Sequence, residues 1–408
     1  MFLMDFPQFR SHIESVQAGL IPMPAVNSDI PSKLIVKASK ETILTAKIRK
    51  EFFIYRVPIE VESGVAFSLI SAFRDDFENP LTIFTPIFSE DDLIKNLRSV
   101  FSSNTVEVHF FDEHTRERIA YAVNEIDKVH AERVLAPASY YPQKEDLRSI
   151  YSKVVEWFGL RTEKDDEEAL RIPLNKNLYD DDFVTVDLGD AYPNRFYMPV
   201  ASGLVREDAG PESEEDIAQC FSRTFKSGKV FIGPTRADDG RELADIVVVD
   251  DENIIIVQAK DSPNTEAVLT RTIERKAKAS RKLAENGFSQ LRGAIRYVQE
   301  DGLKIQTKFI SLIEKPGTKN LYGIVVIKEK FPQDLKWYAE KSYEITKEKG
   351  VMTVLLSYRQ LHEITHHMDT GDSFISTIIK MYFQARYFGH FPELNFVERP
   401  RVAHYSLE

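Results

Sequence analysis

The sequence predicts an α/β protein, α+β overall, in which the C-terminal half forms a mixed β-sheet flanked by helices. Residues 244–249 and 254–260 are two apolar, β-branched runs on either side of a short acidic turn, a pattern typical of a β-hairpin. Two later apolar runs, 321–328 and 351–356, each precede a helical pattern. Strands that alternate with helices are typical of a layered sheet with helices packed on it.

A polar segment separates two predicted domains. Residues 204–215 are mostly polar and contain a Gly-Pro pair, which favours a boundary there. We therefore expect an N-terminal α+β domain over 1–205 and a second domain over 212–400. The first is predicted to contain strands at 81–88, 105–111, 118–123, 183–188 and 196–200 and helices at 91–102 and 144–160. Its sequence shows no catalytic pattern, so we expect a sensing, regulatory or dimerising role.

The composition limits the classes of protein that fit. The chain has 408 residues, a formal net charge of −11 and one cysteine, Cys220. A lone cysteine cannot form an internal disulfide, which fits a reducing cytoplasm. No apolar run is long enough to predict a membrane span. An acidic chain is not expected to coat DNA nonspecifically, but a local basic groove is compatible with binding to nucleic acid.

The predicted hairpin brings three polar side chains together. If its turn is symmetrical, residue 249 faces 254, and Asp245 therefore faces Gln258. Side chains alternate along a strand, so Gln258 and Lys260 share one face. A carboxylate, an amide oxygen and an ammonium at the end of an apolar hairpin are poor core residues. They are suited to a site that binds a metal ion and water.

This pattern resembles the restriction-endonuclease-like superfamily, whose usual motif is Asp…(Asp/Glu)-x-Lys, or PD-(D/E)xK. The segment Gln258-Ala259-Lys260 is a Gln-x-Lys variant, most similar to Mrr-like and defence-associated members. The resemblance implies a metal-dependent endonuclease that hydrolyses phosphodiester bonds of DNA, most readily duplex, in restriction or antiphage defence. It implies Mg²⁺ or Mn²⁺ held by Asp245, the Gln258 side chain and the Ala259 backbone carbonyl. Lys260 would orient the attacking water. Such nucleases often cut two strands as dimers, so a homodimer is expected.

The segment before the hairpin is predicted to be a helix that begins at an N-cap, Ser213. Ile217, Phe221 and Phe225 recur at helical spacing and mark its buried face. Glu214 leans toward that face. In the family a glutamate on this helix completes the metal site, and Glu214 matches that place best, with Glu215 second. The alternative is that these acids lie on the surface and complement the helix dipole.

The segment after the hairpin is predicted to be a basic helix over 266–285, ended by Asn286-Gly287. A basic stripe on its outer side is formed by Arg271, Arg275, Lys278 and Lys282. Most such stripes are solvated surface, but beside a phosphodiesterase site they favour contacts to phosphate. Gln290, on the following helix, is a further candidate for contact with nucleic acid.

His362-Glu363-Ile364-Thr365-His366 matches the His-Glu-x-x-His pattern of zinc proteases. A third ligand is not evident, although Glu393 or Glu398 could supply one. Histidines at the surface or at a helix end are the favoured interpretation, ahead of a zinc protease and of an accessory role with a metal or substrate. The sequence therefore leaves three functions open: an active nuclease, a degraded nuclease fold that binds nucleic acid or a partner, and a zinc protease.

Overall fold

The structure of the protein is a computed structural model. It describes residues 1–25, 30–61, 64–76, 78–87, 92–138, 141, 147–179, 185–187, 200–208, 210–225, 230–307 and 311–392. Parts of the predicted elements at 81–88, 91–102, 144–160, 183–188 and 196–200 lie outside these residues, as do Glu393 and Glu398.

The N-terminal half is an α+β unit, as predicted. Its elements are α1 (Phe2–Asp5), α2 (Arg10–Ser15), β1 (Gly19–Met23), β2 (Ser32–Lys37), α3 (Lys40–Arg49), β3 (Glu51–Val61), β4 (Gly64–Phe73), β5 (Leu81–Pro86), α4 (Asp92–Ser102), β6 (Val106–Phe111), β7 (Glu117–Val123), α5 (Lys128–Val134), α6 (Leu147–Gly159), α7 (Glu163–Glu168), β8 (Leu170–Pro173), β9 (Lys176–Asn177), β10 (Thr185–Asp187) and β11 (Val200–Ser202). They form a sheet of order β1-β2-β6-β7-β9 and an antiparallel sheet of order β5-β4-β3-β8.

The C-terminal half contains the predicted mixed sheet. Its elements are α8 (Gly210–Thr224), β12 (Val230–Ile232), β13 (Thr235–Arg236), β14 (Ile246–Val249), β15 (Asn253–Lys260), α9 (Glu266–Leu269), α10 (Ile273–Asp301), β16 (Leu303–Gln306), β17 (Ser311–Glu314), β18 (Asn320–Ile327), α11 (Leu335–Lys349), β19 (Met352–Ser357), α12 (Tyr358–His367) and α13 (Gly371–Phe388). The sheet order is β12-β14-β15-β18-β19. Strands β12, β14 and β15 are antiparallel neighbours, whereas β15, β18 and β19 run parallel.

Strand β15 lies at the centre of this sheet, and its sequence explains why. From Asn253 to Ala259 every residue is buried, as expected of a strand covered on both faces. Val249 pairs with Ile254 and Ile246 with Val257, which is the predicted register. Helix α10 packs on β15 and β18, and α8 packs on β12, β14 and β15.

Helix α8 begins earlier than predicted. It starts at Gly210, with Pro211 in its first turn, where a missing N–H has no cost. Ser213 is consequently a buried residue inside the helix, and its expected role as N-cap is wrong. Ile217, Phe221 and Phe225 are buried, so the predicted face is confirmed.

Helix α10 passes through the predicted stop at Asn286-Gly287 and continues to Asp301. Glycine is required at 287 for another reason. A Cβ there would lie 2.8 Å from Val325 Cγ1 and 3.2 Å from Lys260 Cγ. The predicted basic helix is instead interrupted earlier, because Thr272 caps α10 and separates it from α9. Arg271 therefore lies between the two helices and not on a continuous stripe.

Of the described helices, none combines the length and apolar character that a bilayer crossing requires.

Candidate functional site

Asp245 and Lys260 meet at the end of the β14–β15 hairpin, as the register predicts. Lys260 Nζ lies 2.7 Å from Asp245 Oδ2, and that same oxygen accepts the backbone N–H of Ala259 at 2.6 Å. No hydrogen bond from any other described residue reaches Asp245 Oδ1. Both side chains are partly exposed, at 13% for Asp245 and 16% for Lys260. The pair is therefore fixed by the strand ladder and accessible to solvent.

Gln258 contributes an unpartnered acceptor next to this pair. The residue is 3% exposed, and its Oε1 has no hydrogen-bond partner in the part of the chain that the structure describes. A buried amide oxygen without a partner costs roughly 1–3 kcal/mol, so such atoms require an explanation. A cation or an ordered water at this position would satisfy the oxygen.

Glu214 lies beside the pair, as its lean toward the core face of α8 predicts. Partial burial raises the pKa of Glu214 to about 7, and the carboxylates of Asp245 and Glu242 add to the rise. The ammonium of Lys260 partly opposes it, and Glu215 adds a smaller rise. A carboxyl with this pKa is held in place at an energetic cost, which is typical of functional sites.

Glu242 is a site residue that the sequence analysis missed. Partial burial raises its pKa, and Asp245 raises it further, which places the two carboxylates within electrostatic reach of each other. The backbone accounts for this proximity. Glu242 forms an antiparallel bridge with Thr235, and the Gly233 N–H donates to the Asp245 carbonyl at 2.8 Å. The available signal was an acid three residues before the motif aspartate, which is too common to be informative by itself.

The donor set fits a hard divalent cation. Carboxylate and amide oxygens are the ligands that Mg²⁺ and Mn²⁺ accept, and Mg²⁺ commonly uses one or two carboxylates and completes its shell with water. Among the described residues, no three His, Cys, Asp or Glu side chains are grouped closely enough to hold one ion as they stand. Asp245, the Gln258 Oε1 and Glu214 are the residues that would hold a cation here. The atom of Ala259 predicted to bind the metal is its backbone carbonyl oxygen. The contact that the structure shows between this residue and Asp245 is made by its backbone N–H.

Helix α10 covers one side of the site and carries Arg275, Lys278, Lys282 and Gln290, whereas Arg271 precedes it. Its Gly287 lies against the stem of Lys260. Five residues predicted to contact nucleic acid are exposed: Arg271, Arg275, Lys278, Lys282 and Gln290. No ion pair within the described ranges involves any of the four cations, so their charges are not neutralised by described protein groups.

A buried charge cluster joins the two halves of the chain directly behind the site. Its central member is Asp216, two residues after Glu214, which is paired with Lys40, with Arg116 at 2.7 Å and with Arg206 at 3.6 Å. Burial by itself would raise the pKa of Asp216, but these cations hold it well below its usual range. Arg206 also lies 3.8 Å from Asp261, the residue after Lys260. Lys40 and Arg116 of the N-terminal half thus contact the helix that carries Glu214, and Arg206, in the segment between the two predicted domains, reaches the end of the strand that carries Lys260.

The His-Glu-x-x-His residues have internal partners. The His362 Nε2 lies 3.0 Å from the Glu113 backbone oxygen, and Glu363 accepts from Arg359 at 2.9 Å. His362 is buried, so the expectation of a surface position is wrong for it, because α12 packs this face on the N-terminal half. His366 lies in the last turn of α12, at the predicted helix end. The two candidate third ligands lie outside the described residues.

In comparisons with protein-family models, curated proteins and solved structures, no match to this chain was found.

Proposed function

We propose that the protein is a metal-dependent endonuclease that hydrolyses phosphodiester bonds of DNA. The observation that carries the proposal is the Asp245–Lys260 pair at 2.7 Å beside the unpartnered, buried Oε1 of Gln258. The main sheet supports it. Its antiparallel strands β12, β14 and β15 are followed by the parallel strands β18 and β19, and α8 and α10 pack on it, which is the layered form that the family resemblance implies.

The proposed chemistry assigns tasks to the cation, to Asp245 and to Lys260. When bound, a divalent cation supplies Lewis-acid stabilisation of the phosphate oxygens. Asp245 holds Lys260 in position through Oδ2, and its Oδ1 would be the oxygen offered to the cation. The ammonium of Lys260 orients the attacking water and stabilises negative charge that develops on the phosphate. A lysine suits this task because it places a compact charge on a flexible stem.

The choice of nucleic acid as substrate rests on the exposed cations of α10. Arg275, Lys278 and Lys282 extend along the helix that covers the site, and contacts to phosphate dominate sequence-independent affinity. DNA, a homodimer and a role in defence follow from the family resemblance and remain proposals on that basis.

A cleavage assay with a matched control tests the proposal. Plasmid and linear duplex DNA are incubated with wild type, Lys260→Met and Lys336→Met, in Mg²⁺, Mn²⁺ or EDTA. Methionine keeps the length of the side chain that packs on Gly287 but removes the charge, and Lys336 is 81% exposed on α11. We expect divalent-dependent cleavage by wild type and Lys336→Met and none by Lys260→Met.

Two other results would each contradict the proposal. Equal cleavage by Lys260→Met would show that the activity arises elsewhere. Binding of DNA without cleavage, unaffected by EDTA and by Lys260→Met, would instead favour a degraded nuclease fold, for which Gln258 in place of a carboxylate is the structural hint.

A further inference from the structure

Glu242 stands at the edge of the site with no described ion pair or hydrogen bond to its carboxylate. A Cβ built on Gly233 would lie 4.0 Å from the Glu242 Oε1, and the Gly233 N–H donates to the Asp245 carbonyl. The carboxylate of Glu242 therefore lies near Gly233, the residue whose backbone N–H is hydrogen-bonded to the Asp245 carbonyl. Its side chain is exposed enough to exchange water and close enough to alter the charge of the site.

The charges of the site do not balance within the protein. Glu214 and Glu242 each act on Asp245, so these three supply three carboxylates around the pair, and Lys260 supplies one ammonium; Glu215, which acts on Glu214, is not counted. When all are ionised, two negative charges remain, which equals the charge of one divalent cation. If a glutamate stood at 258, the same balance would be reached without Glu242.

We infer that Glu242 supplies the negative charge that Gln258 does not, and that it does so through the water shell of a divalent cation bound between Asp245 and Gln258. This inference rests on the proposed metal site. Besides the carboxylates, that site contains the Gln258 Oε1, which is unpartnered among the described residues on a side chain that is 3% exposed and shares a face with Lys260.

Action through water is consistent with the spacing of the carboxylates. The three carboxylates are not grouped closely enough to share an ion directly. Mg²⁺ keeps several of its waters when it binds to proteins, and groups that hold those waters alter metal affinity without touching the ion. Because Glu242 is exposed at the edge of the site, we place it as a positioning residue for the waters of the ion and not as a direct ligand.

Calorimetric titration with Mn²⁺ alone, in the absence of DNA, tests this inference. The variants are Glu242→Gln, Glu214→Gln, and Glu252→Gln as a control. Glu252 is an exposed acid in the turn at the opposite end of β15. We expect Glu242→Gln to weaken Mn²⁺ affinity by about tenfold, since loss of a group that holds metal-bound water costs roughly 10- to 100-fold. The control is expected to match wild type.

A compensating variant makes the test specific. Adding Gln258→Glu to Glu242→Gln restores the charge at the other position, and we expect it to recover the lost affinity. If Gln258→Glu does not recover the lost Mn²⁺ affinity, the inference that Glu242 supplies the charge missing at position 258 is overturned. An unaffected Glu242→Gln alongside a weakened Glu214→Gln overturns this inference alone and leaves the nuclease proposal standing. Failure of wild type to bind Mn²⁺ overturns both.

Discussion

The side chain of Lys260 occupies the space that a Cβ on Gly287 would crowd. That Cβ would lie 3.2 Å from Lys260 Cγ and 2.8 Å from Cγ1 of the fully buried Val325. The middle of a long helix is a poor place for glycine, which costs about 1 kcal/mol relative to alanine. Here the close approach of α10 to the sheet outweighs helix propensity.

Replacement of this glycine should harm the protein although it favours the helix. We expect Gly287→Ala to lower the free energy of unfolding by about 1 kcal/mol, because crowding of a stiff valine outweighs the gain in helix propensity. It should also displace Lys260 and reduce cleavage. Gly293→Ala, in the same helix with no atom within 4 Å of the added methyl group, should instead raise stability by about 1 kcal/mol. Urea denaturation compares them, and equal behaviour of the two variants would contradict the close-packing argument.

Metal affinity should depend on pH through Glu214. Burial first, and then Asp245 and Glu242, raise its pKa to about 7, so a proton competes with the cation below that pH. Mn²⁺ affinity is expected to fall by up to about tenfold for each unit of pH below about 7. Calorimetry in buffers from about pH 8 to about pH 6 measures this slope.

Glu214→Gln is the control for that pH dependence. It should bind Mn²⁺ more weakly than wild type and with a flatter dependence on pH. A slope that survives the substitution would show that another group titrates, with the raised pKa of Glu242 making it the first candidate.

The buried charge cluster should be sensitive to loss of its central acid. Asp216→Asn would leave Lys40, Arg116 and Arg206 without their shared counter-charge, and we expect a loss of about 3–5 kcal/mol in unfolding free energy. Glu340→Gln breaks an exposed pair 3.9 Å long and should change stability by less than about 1 kcal/mol. Chemical denaturation measures both.

The same cluster should affect stability in acid. The depressed pKa of Asp216 contributes stability that is present above its unfolded value of 3.8 and is lost as the pH falls through the folded value. Asp216→Asn should therefore weaken the loss of stability in acid. Equal stability of wild type and Asp216→Asn at every pH would contradict a role for the cluster.

The exposed cations of α10 should set the salt dependence of DNA binding. We expect replacement of Arg275, Lys278 and Lys282 by glutamine to make log affinity fall less steeply with log salt. The magnitude of the slope should decrease by about 0.9 for each phosphate that is no longer bound. The matched control neutralises three exposed lysines elsewhere, Lys336, Lys347 and Lys380. Fluorescence anisotropy in EDTA measures binding without cleavage. Equal slopes for the two triple variants would place the DNA elsewhere.

The sequence predicts those parts of the site that depend on local chain geometry. The β-branched runs and their short turn predict a register that brings Asp245 to Lys260, and the pairing of Val249 with Ile254 confirms it. The predicted stop at Gly287 was wrong, because the reason for that glycine is a contact with β18 and not a helix end.

The rest of the site depends on contacts between distant segments. Glu242 approaches Asp245 because the chain folds back along Gly233, which local periodicity does not indicate. Asp216 pairs with Lys40, far away in the sequence, and charges at such separation carry no pattern that identifies partners. Side chains whose role is set by tertiary pairing are thus the ones that sequence reasoning missed.

The turn between β14 and β15 governs geometry far from itself. Asp250 Oδ1 accepts the N–H groups of Glu252 and Asn253, which closes the turn. At about 3.4 Å per residue, the turn lies about 24 Å from Lys260 along the strand. A slip of one residue here would rotate Gln258 and Lys260 to the opposite face of the sheet. The carboxylate of Asp250 therefore helps to fix the strand register, and its loss is expected to disturb the position of Lys260 although Asp245 and Lys260 are both still present.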